Sequence, residues 1–303
     1  MIAIFRDATA AEIAAGIKRV NNQVRIPFTY RGLQINNDTY EIDQVAISTA
    51  YDAVTEPRAQ ADGLEAYDPK KIQTMIQSKG VIRATSLAAL HDAIDDLNVA
   101  FDPALSKYPN PSSDPESDGF VEFYFDYPTA DTAHYATGLI PMFYRVRPLE
   151  LPVQISSRFS GLSTMFSLSL LAADPRRYWQ TVSSASRTNG GSLTADNTLA
   201  TYFSFPAIQI TLAAAGPASL FLTRPSNNYF RDSETLTLNL SSCSSGDVID
   251  VDMENRAIFK NGVAVPSLYS SGNFWALAPA TSHGLSVGTF TGTVEVAWRR
   301  AFV

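Results

Sequence analysis

Apolar residues at every second position, in one short run after another, constrain this chain more than any other feature. Val121, Phe123, Phe125 and Tyr127 form one such run; Ile140, Met142, Tyr144 and Val146 form the next. Leu151, Val153 and Ile155 are a third, and Phe166, Leu168, Leu170 and Ala172 a fourth, with Ser167 and Ser169 on the opposite face. A period of two is that of a strand with one face buried, so the pattern predicts antiparallel sheets. The fourth run ends abruptly at Asp174-Pro175, where proline supplies no N–H and holds the preceding residue extended. Arg176, Arg177, Tyr178 and Trp179 follow at once.

Two segments break the strand pattern with a helical one. In "DATAAEIAAGIKRVNN", Asp7 or Thr9 is placed to cap a helix with Ile13, Ile17 and Val20 along one side. In "TSLAALHDAIDDLNVAFD", Leu87, Leu90, Ile94, Leu97 and Phe101 make one stripe, behind a cap at Thr85 or Ser86. The fold class expected is mainly β with two helices. Residues 51–71 and 105–119 are expected to be long surface loops, of the kind usually ordered by function or by a partner.

Composition shifts at "TVSSASRTNGGSLTADN", residues 181–197, which is small, polar and glycine-containing, as a linker would be. Beyond it, strands are expected at Ile208–Leu212, Leu236–Leu240, Ile249–Met253 and Val294–Trp298, with a two-residue hairpin turn at Asn261-Gly262. That spacing is that of a C-terminal β-sandwich. The expected division is an N-terminal helical extension over 1–27, a β-rich domain over 28–185 and the sandwich over 186–303.

Of 303 residues, 45% are hydrophobic and 17% charged, the balance of a folded, water-soluble chain. A formal net charge of −7 argues against a general nucleic-acid coat. Cys243 is the only cysteine, so neither an internal disulfide nor a cysteine-rich zinc site can form, and a reducing cytoplasm suits folding. The N-terminus has no secretion signal, with Arg6 and Asp7 where its apolar stretch would lie. The longest apolar run, near Leu168–Ala173, is too short for a membrane span.

The motifs that could carry chemistry all have plainer explanations. "GLSVG" (Gly284–Gly288) matches a nucleophile elbow, but only 17 residues follow Ser286, with no His or Asp, and His283 precedes it. It is expected to be a turn between sandwich strands. Asp247, Asp250, Asp252 and Glu254 suggest a calcium loop, yet the glycine and the final glutamate of such a loop are missing, and alternation makes this a strand. His91, His134 and His283 have no ligand spacing, and neither a phosphate loop nor a dinucleotide-binding turn is present. No catalytic, cofactor or metal residues are assigned, and no enzyme is expected. Tyr124, Tyr127, Tyr178, Trp179 and Trp275 are assigned to core packing.

The order of parts carries more information than any of these motifs. "YRGLQINNDTYEIDQVAIS", "KIQTMIQSKGVIRA", the helix from "TSLAAL", hairpins and "SLSLLAADPRRYW" follow one another. The C-terminal part runs from "DVIDVDMENRAIFKNG" to "FWALAPATSHGLSVGTFTGTVEVAWRRAF". Over roughly residues 28–303 this resembles the distal tail protein family of long-tailed, siphovirus-type bacteriophages. The resemblance implies an N-terminal domain that forms a hexameric ring, and an outer galectin-like sandwich. It also implies a structural virion protein of the tail tip or baseplate, made in the host bacterial cytoplasm. The implied neighbours are other copies of the chain, the tail tube protein, a tail-tip hub or tail-associated protein and receptor-binding proteins, with DNA passing through the lumen without specific binding. Asp174, Pro175, Arg176, Arg177 and Tyr178 then become a structural corner where the chain leaves the ring domain. The chain departs from the family in its helix over 8–22 and in lacking the sugar-binding cluster of true galectins. The competing class is a carbohydrate-binding β-sandwich protein acting in host-surface recognition. Its mark would be aromatic and polar residues clustered on an exposed strand face, where alternation instead places the aromatics in the core.

Overall fold

A computed structural model describes residues 5–8, 13, 23–52, 55–57, 64–66, 70–104, 120–129, 131, 133–135, 138–153 and 161–302. The chain divides into two compact units, residues 1–175 and 176–303. The first expected helix, over 8–22, lies almost wholly outside the described residues, as does Ile155.

In the first unit, β1 (Phe5–Asp7) and β2 (Gln23–Arg25) form a short antiparallel pair. Then come β3 (Phe28–Tyr30), β4 (Leu33–Ile35) and the long β5 (Tyr40–Asp52). The short pair β6 (Thr55–Pro57) and β7 (Leu64–Ala66) is followed by β8 (Lys70–Arg83), α1 (Leu87–Ala100), β9 (Val121–Pro128), β10 (Leu139–Pro148) and β11 (Ser163–Ala172). The main sheet runs β4-β3-β9-β10-β11-β8-β5. β10 and β11 meet only through Arg147↔Leu171 and Pro148↔Leu170, so the sheet is two antiparallel halves joined at one end.

Helix α1 closes over those halves. Ser86 is its N-cap, its hydroxyl accepting from the Ala89 amide at 3.1 Å, while Leu90, Ala93, Ile94 and Leu97 are buried. Leu87, expected on the buried stripe, is 57% exposed, because it lies in the first turn, before the helix is over the sheet. The Tyr40 hydroxyl donates to the Ala93 carbonyl at 3.0 Å, and Tyr30 stacks on Phe101 with centroids 4.6 Å apart. These two tyrosines tie β3 and β5 to opposite parts of the helix. Burial disfavours the charged phenolate and pushes both phenols up to about 12, so both stay neutral. Phe123, Phe125, Ile140, Met142, Tyr144, Val146, Phe166, Leu168 and Leu170 fill the core, as the alternation predicts. The expected strand at Leu151–Ile155 does not form over 151–153, where Leu151 is exposed and the neighbours Pro152 and Val153 are both buried. There Pro152 interrupts the pattern and its carbonyl accepts from the Ser167 amide.

The second unit starts with β12 (Arg177–Trp179), followed by β13 (Ser183–Thr188) and β14 (Gly191–Asn197). There follow β15 (Ala207–Leu212), β16 (Leu220–Arg224), β17 (Glu234–Leu238), β18 (Val248–Asp252), β19 (Ala257–Lys260) and β20 (Val263–Ala264). β21 (Tyr269–Gly272), β22 (Thr281–Val287), β23 (Gly292–Trp298) and β24 (Ala301–Phe302) complete it. A six-stranded sheet, β13-β23-β15-β18-β19-β20, faces a five-stranded one, β14-β22-β16-β17-β21. Ile208, Ile210, Leu222, Leu236, Leu238, Val251, Leu285, Val294 and Trp298, drawn from both sheets, pack into one core between them, which makes the unit a β-sandwich.

Residues 181–197 therefore are not a linker. Ser183–Thr188 pairs with β23 and Gly191–Asn197 with β22, one strand for each sheet. Small polar residues suit these edge strands, whose outer faces need no apolar cover. The Asn261-Gly262 turn forms as expected, at φ 51° and 79°, the left-handed pair that a two-residue hairpin between β19 and β20 requires. Among the described residues, no helix is long and apolar enough to cross a membrane.

Candidate functional site: the corner and the chain end that holds it

The division between units falls inside the sequence corner. Asp174 and Pro175 end the first unit; Arg176, Arg177 and Tyr178 open the second. Tyr178 and Arg177 pair with Ala301 and Phe302, so β12 is held by the final strand, β24, some 120 residues away. The Trp179 amide donates to the Arg300 carbonyl at 3.0 Å. Arg300, in turn, lays its guanidinium over the Trp179 ring, 4.6 Å from its centroid, and reaches the Asp196 carboxylate at 3.4 Å. Arg299 donates to the Gln180 carbonyl.

Arg176 carries the ionic part of the corner. Its guanidinium pairs with Glu254 and lies over two rings, Tyr178 at 5.4 Å and Phe205 at 5.3 Å. Its side chain is 12% exposed, against 44% for Glu254, so the arginine is sandwiched and the carboxylate is wet. Beneath β24 is a buried polar chain. The Ala301 amide donates to Ser204 Oγ at 3.1 Å, Ser204 Oγ donates to Asn197 Oδ1 at 3.1 Å, and Asn197 Nδ2 donates to the Ala278 carbonyl at 2.9 Å. Asn197 and Ser204 are both fully buried and fully used, which fixes the register of the closing strand. This arrangement ties the final strand to the start of the second unit.

The chemical motifs fall elsewhere. Ser286 lies within β22, next to its end, so "GLSVG" is no elbow; the expected turn between sandwich strands begins only at its last residue and spans Gly288–Thr291. Alternation continues through Gly284, because Leu285 and Val287 face the core, and ends at Gly288. His283, three residues earlier, is buried, with its Nδ1 3.4 Å from the Asn227 side-chain nitrogen and its Nε2 3.3 Å from the Ala278 carbonyl. Burial pushes its pKa down, and the nearby Arg224 adds to that effect. His91 lies on the exposed side of α1, and His134 pairs with Asp131 at 2.8 Å. Asp250 and Asp252 line the outer face of β18, as expected. Asp247 is held at about 2 by Lys260, the Ser244 amide and Asn261. Among the described residues, no group of three or more His, Cys, Asp or Glu could hold a metal ion.

Two features escaped sequence reasoning. Arg224 is wholly buried, paired with Glu234 at 2.6 Å and stacked on Phe230 at 3.5 Å. The signal was its inward register in β16, after Leu220 and Leu222. An aromatic group also forms on loops, where Phe203 contacts Tyr202, Tyr229 and Phe230. Of the five aromatics assigned to the core, Trp275 is fully buried, while Tyr124, Tyr127, Tyr178 and Trp179 are half-buried.

No protein-family model matches the sequence, and no curated protein matches it. The fold, however, has solved counterparts. The Dit protein of phage SPP1, described as a paradigm of the hub adsorption apparatus in phages infecting Gram-positive bacteria, aligns with a TM-score of 0.60 at 13% identity. The alignment covers 92% of this chain and 100% of that one. A chain of the phage p2 baseplate, in its activated conformation with Sr, aligns with a TM-score of 0.48 at 10% identity over 92% of this chain and 99% of that one. Over the aligned 92% of its length the chain therefore has the fold of a phage hub protein, the fold expected from the order of its parts.

Proposed function

We propose that this chain is a distal tail protein, a structural subunit of a siphovirus tail tip that assembles as a homohexameric ring. The ring connects the tail tube to the tip or baseplate and its host-recognition proteins. The observation that carries this is the alignment of both units with the SPP1 hub protein over that protein's whole length, since a shared sandwich alone would cover only half the chain. A structural role also agrees with a corner in which Arg176, Arg299 and Arg300 are engaged within the chain.

Two features of the first unit suit a ring. β5 ends the main sheet with a strand of 13 residues, an edge that a neighbouring copy can cover. The outer face of β11-β8-β5 presents Met165, Ser167, Ser169, Gln77, Met75, Ala46 and Ser48 together with Lys79 and, at one end, Arg83 paired with Glu41 at 2.7 Å. A lumen lined by this face would release few counterions from passing DNA, so phosphate would not adhere. Ring formation is tested by light scattering and negative-stain imaging of the full chain at micromolar concentration. Six-fold rings are expected; a monomer that stays monomeric, including within imaged tails, removes the proposal.

A further inference from the structure

We propose that the outer face of the six-stranded sheet docks an arginine- or lysine-bearing segment of a partner protein. A hollow of about 410 Å³ opens there, among Ala207, Gln209, Asp250, Asp252, Phe259, Glu295 and Ala297. Register explains its shape. Glu295, Gln209, Asp250 and Phe259 form one row across β23, β15, β18 and β19; Ala297, Ala207 and Asp252 form the next. The two alanines are a floor, and the longer side chains of the first row are a wall.

The chemistry of the wall selects the occupant. Neighbouring strands lie roughly 4.8 Å apart, so the backbones that carry Glu295 and Asp250 lie about 10 Å apart, and the two carboxylates flank Gln209. Among the described residues, no group of three or more His, Cys, Asp or Glu could hold a metal ion. Carboxylates on both sides of Gln209 suit a guanidinium or ammonium group lying over it. The Gln209 side chain donates to Asp250 Oδ1 at 2.9 Å, which orients that carboxylate and leaves its other oxygen as an acceptor. Asp252 is pinned by the amides of Glu254 and Asn255 and by the Asn255 side chain, so it supplies fixed negative charge. Phe259 adds a ring at the end of the row, against which a cation can rest. No lysine or arginine lines the hollow, so its charge is of one sign, and complementarity requires a basic partner. A sheet face whose backbone is fully paired offers only side chains, which points to insertion of a partner's long side chain rather than to strand addition.

The face lies wholly in the second unit, so the proposal does not rest on ring formation. A fluorescent peptide of alternating arginine and glycine, titrated into the full chain at low salt, tests it, with a glutamate-for-arginine peptide as control. Saturable binding of the arginine peptide alone is expected, weakened about tenfold or more in D250N/E295Q. A297L, which fills the floor and leaves every charge in place, should weaken it similarly. E295Q alone gives a second reading if the double variant melts early. Absence of saturable binding, equal binding by the charge variants, or unchanged binding in A297L would each overturn the proposal. A chain that binds the peptide yet stays monomeric would keep this docking face and remove the ring.

Discussion

Phe166 and Gly80 face each other across the ladder between β11 and β8, with the phenyl ring filling the space where a side chain at Gly80 would lie. A Cβ built on Gly80 would sit 2.6 Å from Phe166 Cζ and 2.2 Å from the Glu41 carbonyl oxygen. The ladder to β5 shifts beside it, between Ile42 and Gln44, so glycine, ring and bulge form one device that bends the long hairpin.

Gly80→Ala should accordingly destabilise the chain by about 2 kcal/mol or more. Chemical denaturation of the full chain measures it. Phe166→Leu added to Gly80→Ala should not restore stability, because the clash with the Glu41 backbone remains; full recovery would refute the bend's dependence on the glycine itself.

At the corner, Arg176→Ala should cost on the order of 2 kcal/mol, since the side chain loses two rings as well as its ion pair. Glu254→Gln should cost under about 1 kcal/mol, because that carboxylate is largely in water. Melting temperatures give the ranking, and equal losses from the two changes would mean that the ion pair, not the stacking, dominates.

Arg224 and Glu234 form the buried counterpart. Glu234→Ala should cost about 3 kcal/mol by leaving a cation uncompensated at the end of the β16–β17 ladder. Replacing both, as Arg224→Met with Glu234→Leu, should recover most of that loss. A double variant no better than the single one would show that the pair itself, and not the stranded charge, sets the cost.

His283 should make stability fall with acid. Its folded pKa is depressed below the ordinary value of 6.5, mainly by burial, so the unfolded chain binds the proton more readily. Its contribution is full above pH 6.5 and is lost as pH drops below that value. Glu41 and Asp247, both held low by cationic partners, weaken the fold only in more acid solution, below about pH 4.5 and 3.8. Asp126, raised by burial, works in the opposite sense and gains as it protonates, so the share of the histidine is read from its own variant between pH 7 and 5. His283→Gln should flatten the slope there; an unaltered slope would assign it to another group.

The fragment 176–303 should melt cooperatively, whereas 186–303 should be less stable, having lost β12 and part of β13 from beside β24 and β23. Circular dichroism melts of the two compare them, and equal stability would make the corner dispensable to the sandwich.

The sequence by itself determined what depends on near neighbours in the chain. Ile140 to Val146, Phe166 to Ala172, Ile208 to Leu212 and Val294 to Trp298 are buried on the faces that alternation assigns, and Ser86 caps α1. The turn at Asn261-Gly262 was equally legible, because a left-handed pair of residues is a local demand. Tertiary structure decided everything that pairs distant positions. Ser183–Asn197 reads as a linker until β22 and β23 arrive beside it, since edge strands need no apolar pattern of their own. The sequence marks Arg176 to Tyr178 as a break but not as a pairing with Ala301 and Phe302, because the ladder bonds that make the pairing are backbone groups and carry no side-chain signature. In the same way Glu295, Gln209 and Asp250, each an ordinary outward residue of its own strand, become one charged wall only when three strands separated in sequence settle into register.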